Sequence, residues 1–151
     1  MRPTLVGAAV LLAGCVSGTP RPVKPALEEV FPPTTAVVYQ AALKAVTDQG
    51  LSLREADPTS RVIETSYVDM ASFQPLEASV YPTTERQVRF RIVVAPSQDT
   101  TGSVVAIYGL YAPFRSGYST SERNERAIPR DHPGMTLVRS IRDAIAATLG
   151  Q

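Results

Sequence analysis

The 151 residues hold one cysteine, one histidine and no tryptophan. One cysteine cannot close a disulfide within the chain, and Cys15 with His132 falls short of a tetrahedral zinc ligand set. No apolar run approaches the roughly 20 residues that a membrane-spanning helix needs. Charge of one sign is also missing: 15 Lys and Arg stand against 14 Asp and Glu. Neither nucleic acid nor an anionic membrane surface is an expected partner on that balance. It is uneven along the chain, because residues 15–85 carry five bases and nine acids while residues 86–151 carry nine bases and five acids. Thirteen of the 15 bases are arginine, which reads as a compositional bias of the genome rather than recognition chemistry.

Catalytic patterns are equally scarce. A Ser/His/Asp triad would have to use His132, and Asp131-His132-Pro133 reads instead as a helix start. Gly117 to Ser121 (GYSTS) lacks the second glycine of a nucleophile elbow, and no glycine-rich phosphate loop follows a strand. The chain is not expected to be an enzyme, and neither a catalytic nor a metal-binding residue is assigned.

What is present begins at the N-terminus. Arg2 precedes Leu5 to Ala13 (LVGAAVLLA), nine residues without charge. A charged start followed by a short apolar stretch is the pattern of an export signal. Leu12-Ala13-Gly14-Cys15 resembles the lipobox of bacterial lipoproteins: an aliphatic residue, a small residue, Gly or Ala, then Cys. A thiolate is the nucleophile that accepts a diacylglyceryl group as a thioether, which a serine hydroxyl is too weakly acidic to do. The resemblance implies cleavage before Cys15, a diacylglyceryl and N-acyl lipid on that residue as the sole added group, and attachment to a membrane of the cell envelope. With Val16, not Asp, after the cysteine, it implies the outer membrane facing the periplasm, with the inner membrane and the cell surface left open. Cys15 is then spent on lipid, which removes a Cys/His dyad as well.

Residues 15–33 read as a lipidated cysteine and a tether. Pro20, Pro22, Pro25, Pro32 and Pro33 favour an extended segment of roughly 3.1 Å per residue, about 50 Å in all, with Phe31 able to dock back on the domain. Residues 34–151 read as one domain. Thr34 or Thr35 can cap a helix over Ala36 to Gln49 whose stripe is Val38, Ala42, Ala45 and Val46, and Gly50 stops it. Leu51 to Ala56 and Arg61 to Val68 predict a hairpin around Asp57-Pro58-Thr59-Ser60, with Ile63, Thr65 and Tyr67 facing inward. A short edge strand over Leu76 to Tyr81 is a further expectation. Gln87 to Ala95 alternates Val88, Phe90, Ile92 and Val94 against Arg89 and Arg91, and Ser103 to Ala112 completes a second hairpin. Gly109 marks a bulge or the close approach of a helix. After a long polar interval, Asp131 to Leu149 predicts a helix with Leu137, Ile141, Ala144, Ile145 and Leu149 on one stripe. The expected fold is α+β: an antiparallel sheet of about four strands with an N-terminal and a C-terminal helix packed on one face.

That order, with the texture GLSLREAD and RVIETSY, resembles the helix-grip domains of BamC-like envelope lipoproteins over residues 35 to 68. The resemblance implies an accessory or interaction domain, and no functional residue carries over. The contact candidates are Arg89 and Arg91 on one strand face and Tyr118, Arg123, Arg126 and Arg130 in the long interval. For the strand arginines a plain solvated face is the competing reading, and Glu122 and Glu125 interleave with the loop arginines as self-paired charge would. The leading expectation is a lipid-anchored, non-catalytic interaction module that meets envelope proteins; the alternative is a binder of a small hydrophobic ligand or lipid between sheet and helices.

Overall fold

A computed structural model describes residues 23–70, 87–99, 101–111 and 125–151. In chain order these form β1 (Leu27–Phe31), α1 (Thr35–Asp48), β2 (Leu53–Asp57), β3 (Val62–Thr65), β4 (Val68–Asp69), β5 (Gln87–Pro96), β6 (Ser103–Tyr111), β7 (Arg126–Ala127) and α2 (Gly134–Thr148). The sheet is antiparallel in order β1-β6-β5-β3-β2, with β4 added to β5 and β7 to β6. The α+β class is as expected; the sheet has seven strands rather than about four. The additions are β1 and two pairs of residues, β4 and β7, each too short to show periodicity. The expected strand over Leu76 to Tyr81 lies outside the described residues.

The first strand corrects the tether boundary. Leu27 to Phe31 is predicted as part of the spacer, yet it pairs residue by residue with β6, from Leu27 opposite Ile107 to Phe31 opposite Ser103. Phe31 is 1% exposed and joins the core. Pro25, Pro32 and Pro33 all fall outside this edge strand, where a missing N–H costs no ladder bond. Two further hydrogen bonds lock its ends: Ala26 N–H donates to the Ile107 carbonyl at 2.8 Å, and the Ser103 hydroxyl to the Pro33 carbonyl at 2.7 Å.

Both helices cover one face of the sheet. From α1 come Val38, Ala42, Ala45 and Val46, from α2 Val138, Ile141 and Ile145, and from the strands Ile63, Val88, Phe90, Ile92 and Ile107, all inaccessible to solvent. Each large aliphatic or aromatic side chain so buried contributes about 1.5–3 kcal/mol. The alanines of α1 let it approach closely where a larger side chain would hold it off.

Local signals act where the sequence places them. Gly50 takes φ +70 and donates its N–H to the Thr47 carbonyl, ending α1 in the left-handed conformation that suits glycine. Asp57 accepts hydrogen bonds from the Thr59 and Ser60 amides and from the Ser60 hydroxyl, closing the β2–β3 turn. Those bonds hold its carboxyl below the usual carboxylate range. At α2 it is His132, not the exposed Asp131, that serves the first turn: its Nδ1 accepts the Gly134 N–H at 3.0 Å. At Gly109 the close neighbour is Ile128, not a helix, and a Cβ there would lie 2.4 Å from the Ile128 Cδ1. Ile128 N–H also donates to the Gly109 carbonyl at 2.9 Å, so the segment from Glu125 to Ile128 is strapped along β6.

Candidate functional site

The face of the sheet away from the helices follows from strand alternation. With Val88, Phe90, Ile92 and Val94 on the core side, Arg89, Arg91, Val93 and Ala95 stand on the other. Cross-strand pairing extends these into rows. Val30, Val104 and Ala95 form one; Glu28, Ala106, Val93, Val62 and Asp57 the next; Tyr108, Arg91, Glu64 and Glu55 a third. One end of the face is therefore aliphatic and the other charged. Val30 is 49% exposed at the aliphatic end, with Val93, Ala95 and Val104 half-buried.

At the charged end a register change brings in a residue that strict alternation puts elsewhere. Glu64 lies opposite Arg91, and Val68 lies opposite Val88. Three residues on one strand thus oppose two on the other. This extra residue, as in a β-bulge, reverses the faces beyond it. Thr65 stays inward and its Oγ1 accepts the Phe90 N–H at 2.9 Å. Val68 then faces the core. Tyr67, expected inward beside Ile63 and Thr65, is turned to the side opposite α1 and α2, where its ring centroid lies 6.0 Å from the Arg89 Cζ.

Arg89 is the largest fully buried side chain among the described residues, at 1% exposure. Its guanidinium forms a planar fork with Glu125, Nε to Oε1 at 2.5 Å and Nη2 to Oε2 at 2.7 Å. Tyr67 donates its hydroxyl to the same Oε1 at 2.5 Å. The third corner, Nη1, donates to Glu64 Oε2 at 2.6 Å, and Arg91 Nε donates to Glu64 Oε1 at 2.6 Å. Two cations and two carboxylates are thus joined with no net charge. Burial alone would weaken the Arg89 cation, but its hydrogen bonds and charge contact with Glu125, then Glu64, outweigh that and raise its pKa. Burial likewise pushes the Glu64 carboxyl up, and the bonds and charges of Arg91 and Arg89 overcome it, so its pKa falls below the usual value. The Glu64 carboxylate is thus held as an anion, in a form suited to clamping rather than to accepting protons.

The expected contact residues separate accordingly. Arg89, read as standing on a solvated strand face or meeting a partner, is buried: Glu125 and Tyr67 form a second layer over that end of the sheet, which alternation within one strand does not report. The Arg91 side chain is 41% exposed and keeps one edge toward solvent. Arg126 in β7 and Arg130 beyond it are exposed. Tyr118 and Arg123, like Cys15, lie outside the described residues. Sequence names Glu125 only as a charge interleaved with arginines, and gives neither Glu64 nor Tyr67 as a site residue; opposite charge on facing strands, Glu64 against Arg91, is a signal that points to Glu64.

Among the described residues no cluster of three or more His, Cys, Asp or Glu side chains is arranged to hold a metal ion. No helix among them is long and apolar enough to cross a membrane. No protein-family model matches the chain, and no curated protein is significantly similar to it.

Proposed function

We propose that this chain is a lipid-anchored protein of the bacterial cell envelope, acting as a non-catalytic interaction module that meets envelope proteins through the face of its sheet opposite α1 and α2. The acyl chains on Cys15 hold it at the membrane, the outer membrane facing the periplasm being the favoured site. Each buried CH₂ contributes about 0.8 kcal/mol, so two or three chains make attachment effectively permanent. The observation that carries the docking part is the row Val30, Val104 and Ala95: with both helices on the opposite side, this aliphatic end keeps Val30 49% exposed. An exposed apolar patch beside a polar border suits protein contact. The helix-facing side, by contrast, is filled by interlocking side chains from Val38 to Ile145, which favours a docking module over a binder of ligands between sheet and helices.

Labelled palmitate supplied to an expressing bacterium should enter the wild-type protein and not Cys15→Ser. A photo-crosslinking residue at Val30 should capture an envelope protein that the same residue at Lys44, on the exposed side of α1, does not. Label in both proteins, or equal capture from both positions, contradicts the reading.

A further inference from the structure

We propose that Arg89 and Tyr67 form a carboxylate-binding socket, occupied in this structure by the chain's own Glu125 and open to a carboxylate from a partner molecule when that segment lifts.

The receptor and its occupant are built differently. Arg89 and Glu64 project from the paired strands β5 and β3, whose backbone ladder fixes their positions, and Tyr67 is held at the register change between β3 and β4. Groups carried on strands keep a binding geometry more sharply than groups on loops. Glu125 instead precedes a strand of only two residues, both exposed. Its carboxylate is gripped as a bound ligand would be, by a bidentate guanidinium and a tyrosine hydroxyl, with bonds of 2.5, 2.7 and 2.5 Å. A planar fork of this kind matches any carboxylate.

Charge makes the socket selective for an anion. Glu64 is shared between Arg89 and Arg91, each at 2.6 Å, so it cannot by itself neutralise both. If Glu125 withdraws, Arg89 is left as a buried cation short of one counter-charge, a costly state that an incoming carboxylate relieves. Exchange of one carboxylate for another preserves the bonds to Arg89 and Tyr67, so the cost is that of releasing Glu125 together with the short pairing of β7 on β6, Ala127 opposite Leu110 and Arg126 opposite Tyr111. Ile128 stays anchored through its N–H to Gly109 and its side chain against the same glycine.

The test is chemical rescue in the full chain. Glu125→Ala empties the socket and should lower Tm; sodium acetate should restore several degrees of it, sodium chloride at the same ionic strength none, and Arg89→Met/Glu125→Ala should gain nothing from either. Glu125→Gln, which keeps the shape, serves if the alanine variant does not fold, with the Arg89 Hε resonance as readout: it should shift with acetate in this variant. To separate sources, the wild-type chain is titrated with a short peptide bearing a free C-terminal carboxylate, the same peptide amidated, and acetate. A shift of Arg89 Hε with the free peptide alone assigns a chain-terminal carboxylate, and one with acetate as well assigns small acids too. Acetate acting no better than chloride on both Glu125 variants overturns the socket. That result would leave the docking face at Val30 untouched, since the two proposals share no residue.

Discussion

Glu125 and Arg89, 36 residues apart in the chain, meet through two parallel hydrogen bonds on the side of the sheet opposite α1 and α2. The pair ties the segment ahead of α2 to the middle of the sheet, and it does so with charges that have left water. Buried ion pairs of this kind gain little over an apolar pair, but losing one partner is costly because the other is stranded.

Arg89→Met should therefore destabilise the protein by about 3–5 kcal/mol, the range seen when a buried pair loses one member. Arg91→Met, with its side chain 41% exposed, should cost far less. Urea unfolding of the two variants at neutral pH checks the order.

The pH dependence has a defined sign. Because the folded state lowers the Glu64 pKa, its ionised carboxylate stabilises the fold above the ordinary glutamate value of about 4.3, and this contribution is lost as pH falls through the depressed folded value. Glu64→Gln should be less stable than wild type by a constant amount above about pH 5, with the gap closing in acid. Unfolding free energies measured across that range give the comparison.

Strand β1 belongs to the domain, so shortening the chain has a sharp threshold. Phe31→Ala should cost about 3–5 kcal/mol. Gly102→Ala should also weaken the fold, because a Cβ at that position would lie 2.3 Å from the Phe31 carbonyl oxygen, a backbone atom with little room to move. A chain beginning at Lys24 should match the full protein in thermal unfolding, and one beginning at Pro33 should melt well below it.

Gly109 and Ile128 should behave as a coupled pair. Gly109→Ala drives a Cβ into the Ile128 side chain and should cost about 1–3 kcal/mol as overpacking. In Ile128→Ala the obstruction is gone, so the double variant should be more stable than the sum of the single losses implies. A double-mutant cycle by denaturant unfolding measures that coupling.

How much of this could be read from sequence depends on whether one element carries its own signal. The stripes of α1 and α2, the Asp57 turn and the alternation from Val88 to Val94 are local patterns, and these elements lie within a few residues of their expected ends. Strand β1 was hidden because Pro25, Pro32 and Pro33 read as a spacer when their position at a sheet edge is unknown. Strict alternation puts Tyr67 on the wrong face because a single extra residue between Glu64 and Val68 inverts it, and nothing in RVIETSYV marks that residue. Arg89 looks like any outward strand arginine until the distant Glu125 is placed over it. Within ERNER, an acid among arginines, no local pattern distinguishes the carboxylate that becomes buried.

Docking on envelope proteins through the aliphatic end of the sheet face opposite α1 and α2, as proposed, is open to quantitative co-purification from detergent-solubilised envelopes, comparing the wild-type lipidated protein with Val30→Lys. Val30 is 49% exposed, so the substitution should leave stability within about 0.5 kcal/mol. Specific envelope proteins should accompany the wild type and be lost from Val30→Lys while both proteins remain folded and lipidated. The same partners retained at equal yield by Val30→Lys, or none with either protein, would contradict that docking.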